Sequence, residues 1–137
     1  MRWGTDRLDR MIAGTHERSP SGIYMMLPMV AEYREGYVKC LHRIDARFLN
    51  SQGMIFGGYV SALLDDVTGH AAMTLLPDDK MCATAELAVS YFRPCLPDDD
   101  EFLIEAFVIN QTRRSYHIEG TLKRPDGKLV AKAHAVY

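Results

Sequence analysis

The sequence is short of several things, and each shortage removes a class of function. Among 137 residues there are three cysteines, Cys40, Cys82 and Cys95. An odd number at wide spacings, with no C-x-x-C and no nearby histidine, indicates neither a disulfide framework nor a zinc site. The five histidines, His16, His42, His70, His117 and His134, show no H-x-x-x-H spacing, so no metal site is expected. The apolar runs are too short to span a bilayer. The start, Met1-Arg2-Trp3-Gly4-Thr5-Asp6-Arg7, is charged where a signal peptide needs apolar residues, so a cytoplasmic protein without membrane attachment is expected. A net charge of −2, with lysine and arginine scattered, gives no electrostatic footprint for nucleic acid. Neither Ser61 nor Ser115 lies in a nucleophile elbow. Asp98-Asp99-Asp100 lacks the ordered spacing of a calcium loop and reads as a solvated turn.

What is present is the profile of one globular domain over residues 1–137, with 47% hydrophobic and 25% charged residues. Its centre is Asn50-Ser51-Gln52-Gly53-Met54-Ile55-Phe56-Gly57-Gly58, a glycine turn that feeds a long helix, about residues 57–75. Val60, Leu63, Leu64, Val67 and Ala71 share one stripe of that helix and form its core face. Opposite lie Gly58, Ala62, Asp65, Gly69 and Ala72, a seam of small residues carrying one carboxylate, where a second subunit is expected.

The start of this helix is a candidate site. Gly57 and Gly58 permit close approach to the main chain. The first-turn N–H groups have no partners within the helix and sit at the positive end of its dipole, suited to a phosphate, a carboxylate or an oxyanion. Asp65, seven residues beyond Gly58, lies on the same face, whereas Asp66 is rotated by about 100°. His70 is turned about 140° from Asp65, which argues against a local dyad.

The remaining elements follow from periodicity. Thr5 to Arg18 reads as a short helix on Leu8, Met11 and Ile12, ended by Ser19-Pro20-Ser21-Gly22. Strands are expected at Met29 to Tyr33, Tyr37 to Ile44, Cys82 to Phe92, Glu101 to Thr112, Ser115 to Lys123 and Lys128 to Tyr137, with turns at Glu35-Gly36 and Pro125-Asp126-Gly127. Strands run together rather than alternating with helices. The class is therefore α+β, a mostly antiparallel sheet wrapped around one helix.

These residues resemble the hotdog-fold acyl-CoA thioesterases, in particular the phenylacetate-degradation type, along nearly the whole chain. The motif is an asparagine, a glycine, His-Gly-Gly opening the long helix and an acidic residue seven positions on; here Asn50, Gly53, Phe56-Gly57-Gly58 and Asp65. Ala83 to Pro94 and Asp126-Gly127-Lys128-Leu129-Val130-Ala131 also look like the family. The resemblance implies that the Gly57 N–H polarises the thioester carbonyl while Asp65 of the facing subunit acts as base or nucleophile. Asn50 would hold the carbonyl or the attacking water, and Thr84 would position that water. Phe56 and Gly58 would line the substrate site, and Arg113-Arg114 would meet the phosphates of coenzyme A. The implied assembly is a homodimer, paired again into a tetramer, with no cofactor beyond the coenzyme A of the substrate. The departure is Phe56, where the family has histidine, since phenylalanine has no side-chain hydrogen bond to offer. Two readings stay open: a hydrolase whose acyl pocket Phe56 lines, and a non-catalytic acyl-CoA binding protein. A hotdog dehydratase is the weaker third, because such enzymes need the missing histidine.

Overall fold

The structure is a computed structural model, and it describes residues 3–15, 27–97 and 101–137. Helix α1 spans Trp3–Ala13 and helix α2 Gly57–Met73. The strands are β1 Val30–Arg34, β2 Tyr37–His42, β3 Glu86–Tyr91, β4 Phe102–Gln111, β5 Tyr116–Lys123 and β6 Leu129–Val136. They form one antiparallel sheet in the order β1-β2-β4-β5-β6-β3, with α2 lying across β2, β4, β5 and β6. The α+β class expected from the sequence is observed.

The core face of α2 is the one periodicity indicated. Val60 is 2% exposed, and Leu63, Leu64, Val67 and Ala71 are fully buried against Val38, Cys40, Ile104, Ile118 and Leu122. Burying each large aliphatic side chain is worth about 1.5–3 kcal/mol, so this stripe holds the helix to the sheet. Closeness is set by Gly120 on β5. A Cβ there would stand 2.9 Å from Thr68 Cγ2 and 3.3 Å from Leu64 Cδ2. Thr68 is fully buried, and its hydroxyl donates to the Leu64 carbonyl at 2.8 Å, so it cannot swing aside. Gly120→Ala is therefore expected to destabilise by about 1–3 kcal/mol through overpacking. A urea midpoint equal to wild type would refute that.

The small-residue seam is in part the open strip that the sequence suggested: Gly58 is exposed and Ala62, Asp65 and Gly69 are half-buried, while Ala72 is fully buried. The Phe56 ring lies against Gly58 and the Tyr137 ring against Gly69. Large exposed apolar groups lie near the free edge of β3 and the start of α2, at Phe56, Met81, Tyr91 and Phe92, and also on β2 and β4, at Leu41, Phe107 and Ile109.

Several boundaries also differ; β2 ends at His42 rather than Ile44, and β1, β4, β5 and β6 shift by a residue at one or both ends. Helix α1 stops at Ala13 rather than Arg18, since Gly14 takes φ +72° and the Gly14 and Thr15 N–H groups return to the Met11 and Arg10 carbonyls. Residues 16–26, which include the expected Ser19-Pro20-Ser21-Gly22 terminator, lie outside the described residues, as does Asp98-Asp99-Asp100. Strand β3 begins at Glu86 rather than Cys82. Among the described residues its strand neighbour is β6, and their ladder starts at Glu86↔Val136. Thr84 turns toward α2 instead. Helix α2 closes two residues before its expected end, where Thr74 caps the Ala71 carbonyl with both its N–H and its hydroxyl.

Candidate active site

Asp65 sits in the third turn of α2, facing away from the core stripe. The Thr84 hydroxyl donates to its Oδ1 at 2.9 Å, and the Tyr137 hydroxyl approaches the same oxygen at 2.8 Å. Tyr137 also reaches the Asp65 main-chain carbonyl at 2.5 Å and Thr68 Oγ1 at 3.1 Å. Burial, the leading cause, raises the Tyr137 ionisation well above the ordinary tyrosine range, so the phenol keeps its proton and serves as a donor. These groups border a cleft of about 230 Å³ that Arg7, His70 and Cys82 also line. Burial raises the Cys82 thiol too, which keeps it neutral and makes it a poor nucleophile. Asp66 lines the same cleft, where its Oδ2 stands 3.6 Å from Nδ1 of the buried His70. Asp65 and Asp66 thus have different partners, Thr84 and Tyr137 for the first and His70 for the second.

The start of α2 forms a second cleft, of about 360 Å³, bordered by Asn50, Gly57, Tyr91 and Phe92. Phe56 is the N-cap residue, in extended conformation with φ −74° and ψ 143°, and contributes no side-chain cap. The Tyr59 and Val60 N–H groups return to the Phe56 carbonyl at 3.0 and 3.4 Å, and Gly57, which lines the cleft, has no capping side chain on its N–H. Tyr91 orders this end, donating to the Gly57 carbonyl at 2.7 Å and meeting the Ser61 hydroxyl. The Phe56 ring is 46% exposed and lies over Gly58, where a Cβ would meet it at 2.5 Å. Asn50 is committed in part to its own loop, since its Oδ1 accepts from the Gln52 N–H at 2.9 Å and the Met54 N–H at 3.1 Å. Its NH₂ is the end left to meet a ligand.

Arg113 and Arg114 occupy the exposed turn between β4 and β5, beside a third cleft of about 520 Å³ that also receives Lys80. Tyr137, Met81, Cys82 and Ala83 line both this cleft and the Asp65 cleft, so the two clefts are neighbours.

Within one chain, then, Asp65 and Thr84 come together, and Asn50 and Gly57 come together, but the two groups stay apart. Eight residues separate Gly57 from Asp65, about 12 Å along a helix rising about 1.5 Å per residue. Sequence reasoning missed Tyr137, Tyr91 and Arg7. Tyr137 and Tyr91 stand in or next to strands whose alternation announces a face but not a partner, and Arg7 lies in a charged helix like its neighbours.

Among the described residues no group of three or more histidine, cysteine or acidic side chains could hold a metal ion. No described helix is long and apolar enough to cross a membrane.

Comparison with known proteins gives this arrangement a family. A candidate thioesterase of Ralstonia eutropha, described as phenylacetic acid degradation-related, superposes with a TM-score of 0.81 at 28% identity, covering 95% of this chain and 97% of that one. A hypothetical thioesterase of Streptococcus pneumoniae, solved with coenzyme A, shares the fold with a TM-score of 0.71 at 21% identity, over 78% of this chain and 81% of its own. A Caenorhabditis elegans protein named as a candidate esterase is 32% identical over 102 residues, 74% of this chain, which spans only 59% of that relative's length. The sheet-covered helix is thus the hotdog fold. The sequence pattern of the thioesterase superfamily matches residues 52–131, from the turn before Gly57-Gly58 to the middle of β6; the chain belongs to that superfamily, whose chemistry is thioester hydrolysis.

Proposed function

We propose that the protein hydrolyses an acyl-CoA thioester to the free acid and coenzyme A, at a site shared by two subunits. The observation that carries this reading is the separation of two half-sites on one helix. A carbonyl under attack must lie about 3 Å from its oxyanion donor, and the attacking water about 3 Å from its base. Groups about 12 Å apart along one helix do not meet that condition alone. A second copy running the other way across the free β3 edge would bring its Asp65 to this chain's Gly57, and the exposed Tyr91, Phe92 and Met81 suit such a contact. A dimer is the minimum this reading needs, and the tetramer is its extension.

In the reaction, Asp65 takes a proton from water as the water oxygen attacks the carbonyl carbon. The Gly57 N–H stabilises the oxyanion, with the Asn50 NH₂ beside it. Collapse breaks the C–S bond, and the leaving thiolate recovers the proton from Asp65. A thiol of pKa about 8.5 leaves readily, so an oxyanion donor and a base suffice. Arg113, Arg114 and Lys80 supply cations for the phosphates of coenzyme A. The coenzyme A bound by the pneumococcal relative favours this carrier. A cytoplasmic location is part of the same proposal. The competing reading, binding without turnover, is favoured by one observation, the Phe56 ring folded over Gly58 at the mouth of the oxyanion site.

The test is thiol release from a panel of phenylacetyl, benzoyl and straight-chain acyl-CoAs, combined with subunit mixing. Asp65→Ala and Gly57→Pro chains, each inactive alone, are expected to recover about a quarter of wild-type activity when co-assembled, because random pairing across a two-fold axis makes half the dimers mixed, each with one intact site. No recovery would exclude the shared site. Absence of turnover on every thioester, with thermal stabilisation by coenzyme A, would establish the binding protein instead.

A further inference from the structure

Tyr137 deserves a role of its own, which rests on the hydrolase reading above. The main chain of Tyr137 is paired in both directions with Tyr116, at 2.8 and 3.0 Å, so the ring leaves the sheet from a fixed base. It crosses α2 at Gly69, where a Cβ would stand 3.2 Å from the phenol oxygen. From there the hydroxyl shares its proton between Oδ1 and the main-chain carbonyl of Asp65. Thr84 donates to the same Oδ1. An ionised carboxylate oxygen has about two acceptor positions, so both on Oδ1 are engaged. Among the described residues Oδ2 accepts no hydrogen bond.

We propose that Tyr137 is a positioning residue for Asp65: with Thr84 it holds Oδ1, stops rotation of the carboxylate, and thereby assigns Oδ2 as the atom that takes the proton of the attacking water. A carboxylate left to itself turns broadly about its last torsion. Held by one oxygen, it presents the other in one direction. Gly69 belongs to the same device, because any side chain there pushes the phenol away.

The test compares steady-state kinetics and melting of wild type, Tyr137→Phe, Gly69→Ala, Asp65→Ala and the double variant Asp65→Ala/Tyr137→Phe. Tyr137→Phe is expected to lower kcat about 10- to 100-fold, the scale of a misplaced catalytic group, with KM within about twofold. Gly69→Ala keeps every hydroxyl but displaces the phenol by a few tenths of an ångström. Its kcat is expected to fall while its melting temperature holds or rises, since alanine is the better helix former. A loss of stability alone would not produce that opposition. Adding Tyr137→Phe to Asp65→Ala is expected to cost nothing further, because the group being positioned is already gone. Full kcat in Tyr137→Phe beside an inactive Asp65→Ala would overturn the role of Tyr137 and leave the hydrolase standing. An active Asp65→Ala would overturn both. Should Tyr137→Phe fold poorly, Gly69→Ala decides alone, and an unchanged kcat there overturns the proposal.

Discussion

Asp65→Ala is expected to lower thioesterase kcat/KM by about 10²- to 10⁴-fold, the usual range for removing a general base. Stability should change little. The groups stranded by the substitution are two hydroxyls, and neither is sealed from water: Thr84 is exposed and Tyr137 half-buried. Asp65→Asn is the sharper version. An amide oxygen can accept from Thr84 and Tyr137 as Oδ1 does, so the geometry survives, but the NH₂ that replaces Oδ2 cannot take a proton from water. Loss of turnover with retained coenzyme A binding and an unchanged melt is the expected pattern. Asp66→Ala should behave in the opposite way, because that carboxylate is 14% exposed and faces His70, so its removal disturbs packing more than turnover. Wild-type rates in Asp65→Asn would remove Asp65 from the mechanism.

Gly57→Pro is expected to reduce kcat about 10²- to 10³-fold, the cost of deleting one oxyanion donor. Proline suits this test because it removes the main-chain N–H, its ring carbon Cδ taking the place of that hydrogen. At the first helical position that N–H has no partner within the helix, and proline is accepted there. The residue ahead must then be extended, and Phe56 already is, with ψ 143°. The new Cβ would meet the Tyr91 ring at 3.4 Å, an ordinary contact with a half-exposed side chain. Circular dichroism should therefore report a folded protein. A folded variant with unimpaired kcat would mean that the carbonyl is polarised elsewhere. The two predictions are linked, since chains crippled at Gly57 and at Asp65 restore each other only if one site draws on both.

Much of the fold was legible in the chain because its signals are local and periodic. The stripe from Val60 to Ala71 is buried as its spacing of three and four residues required, and the turns at Gly36 and Gly127 carry the positive φ that glycine allows. Errors came where a distant segment overrode a local pattern. Gly69 and Ala72 belong to a small-residue seam by rotation about the helix, yet Ala72 is packed in the core and Gly69 is covered by a tyrosine 68 residues away in sequence. Cys82 to Ala85 alternates like a strand, but Thr84 is drawn to Asp65 on α2 and the ladder of β3 on β6 starts at Glu86.

The candidate site divides along the same line. The amino-acid sequence by itself determined the helix, the glycines at its start and the face on which Asp65 stands, because helical rotation is a property of consecutive residues. It also determined the limits set by three scattered cysteines and an unpatterned charge. Only the tertiary structure decided that Thr84 and Tyr137 meet on a single oxygen of Asp65, that Phe56 folds over Gly58, and that the cleft beside Arg113 and Arg114 adjoins the one that Asp65 lines. Those contacts join residues far apart in the chain, and their existence depends on how the edges of a curved sheet reach around one helix, which no short window of sequence encodes.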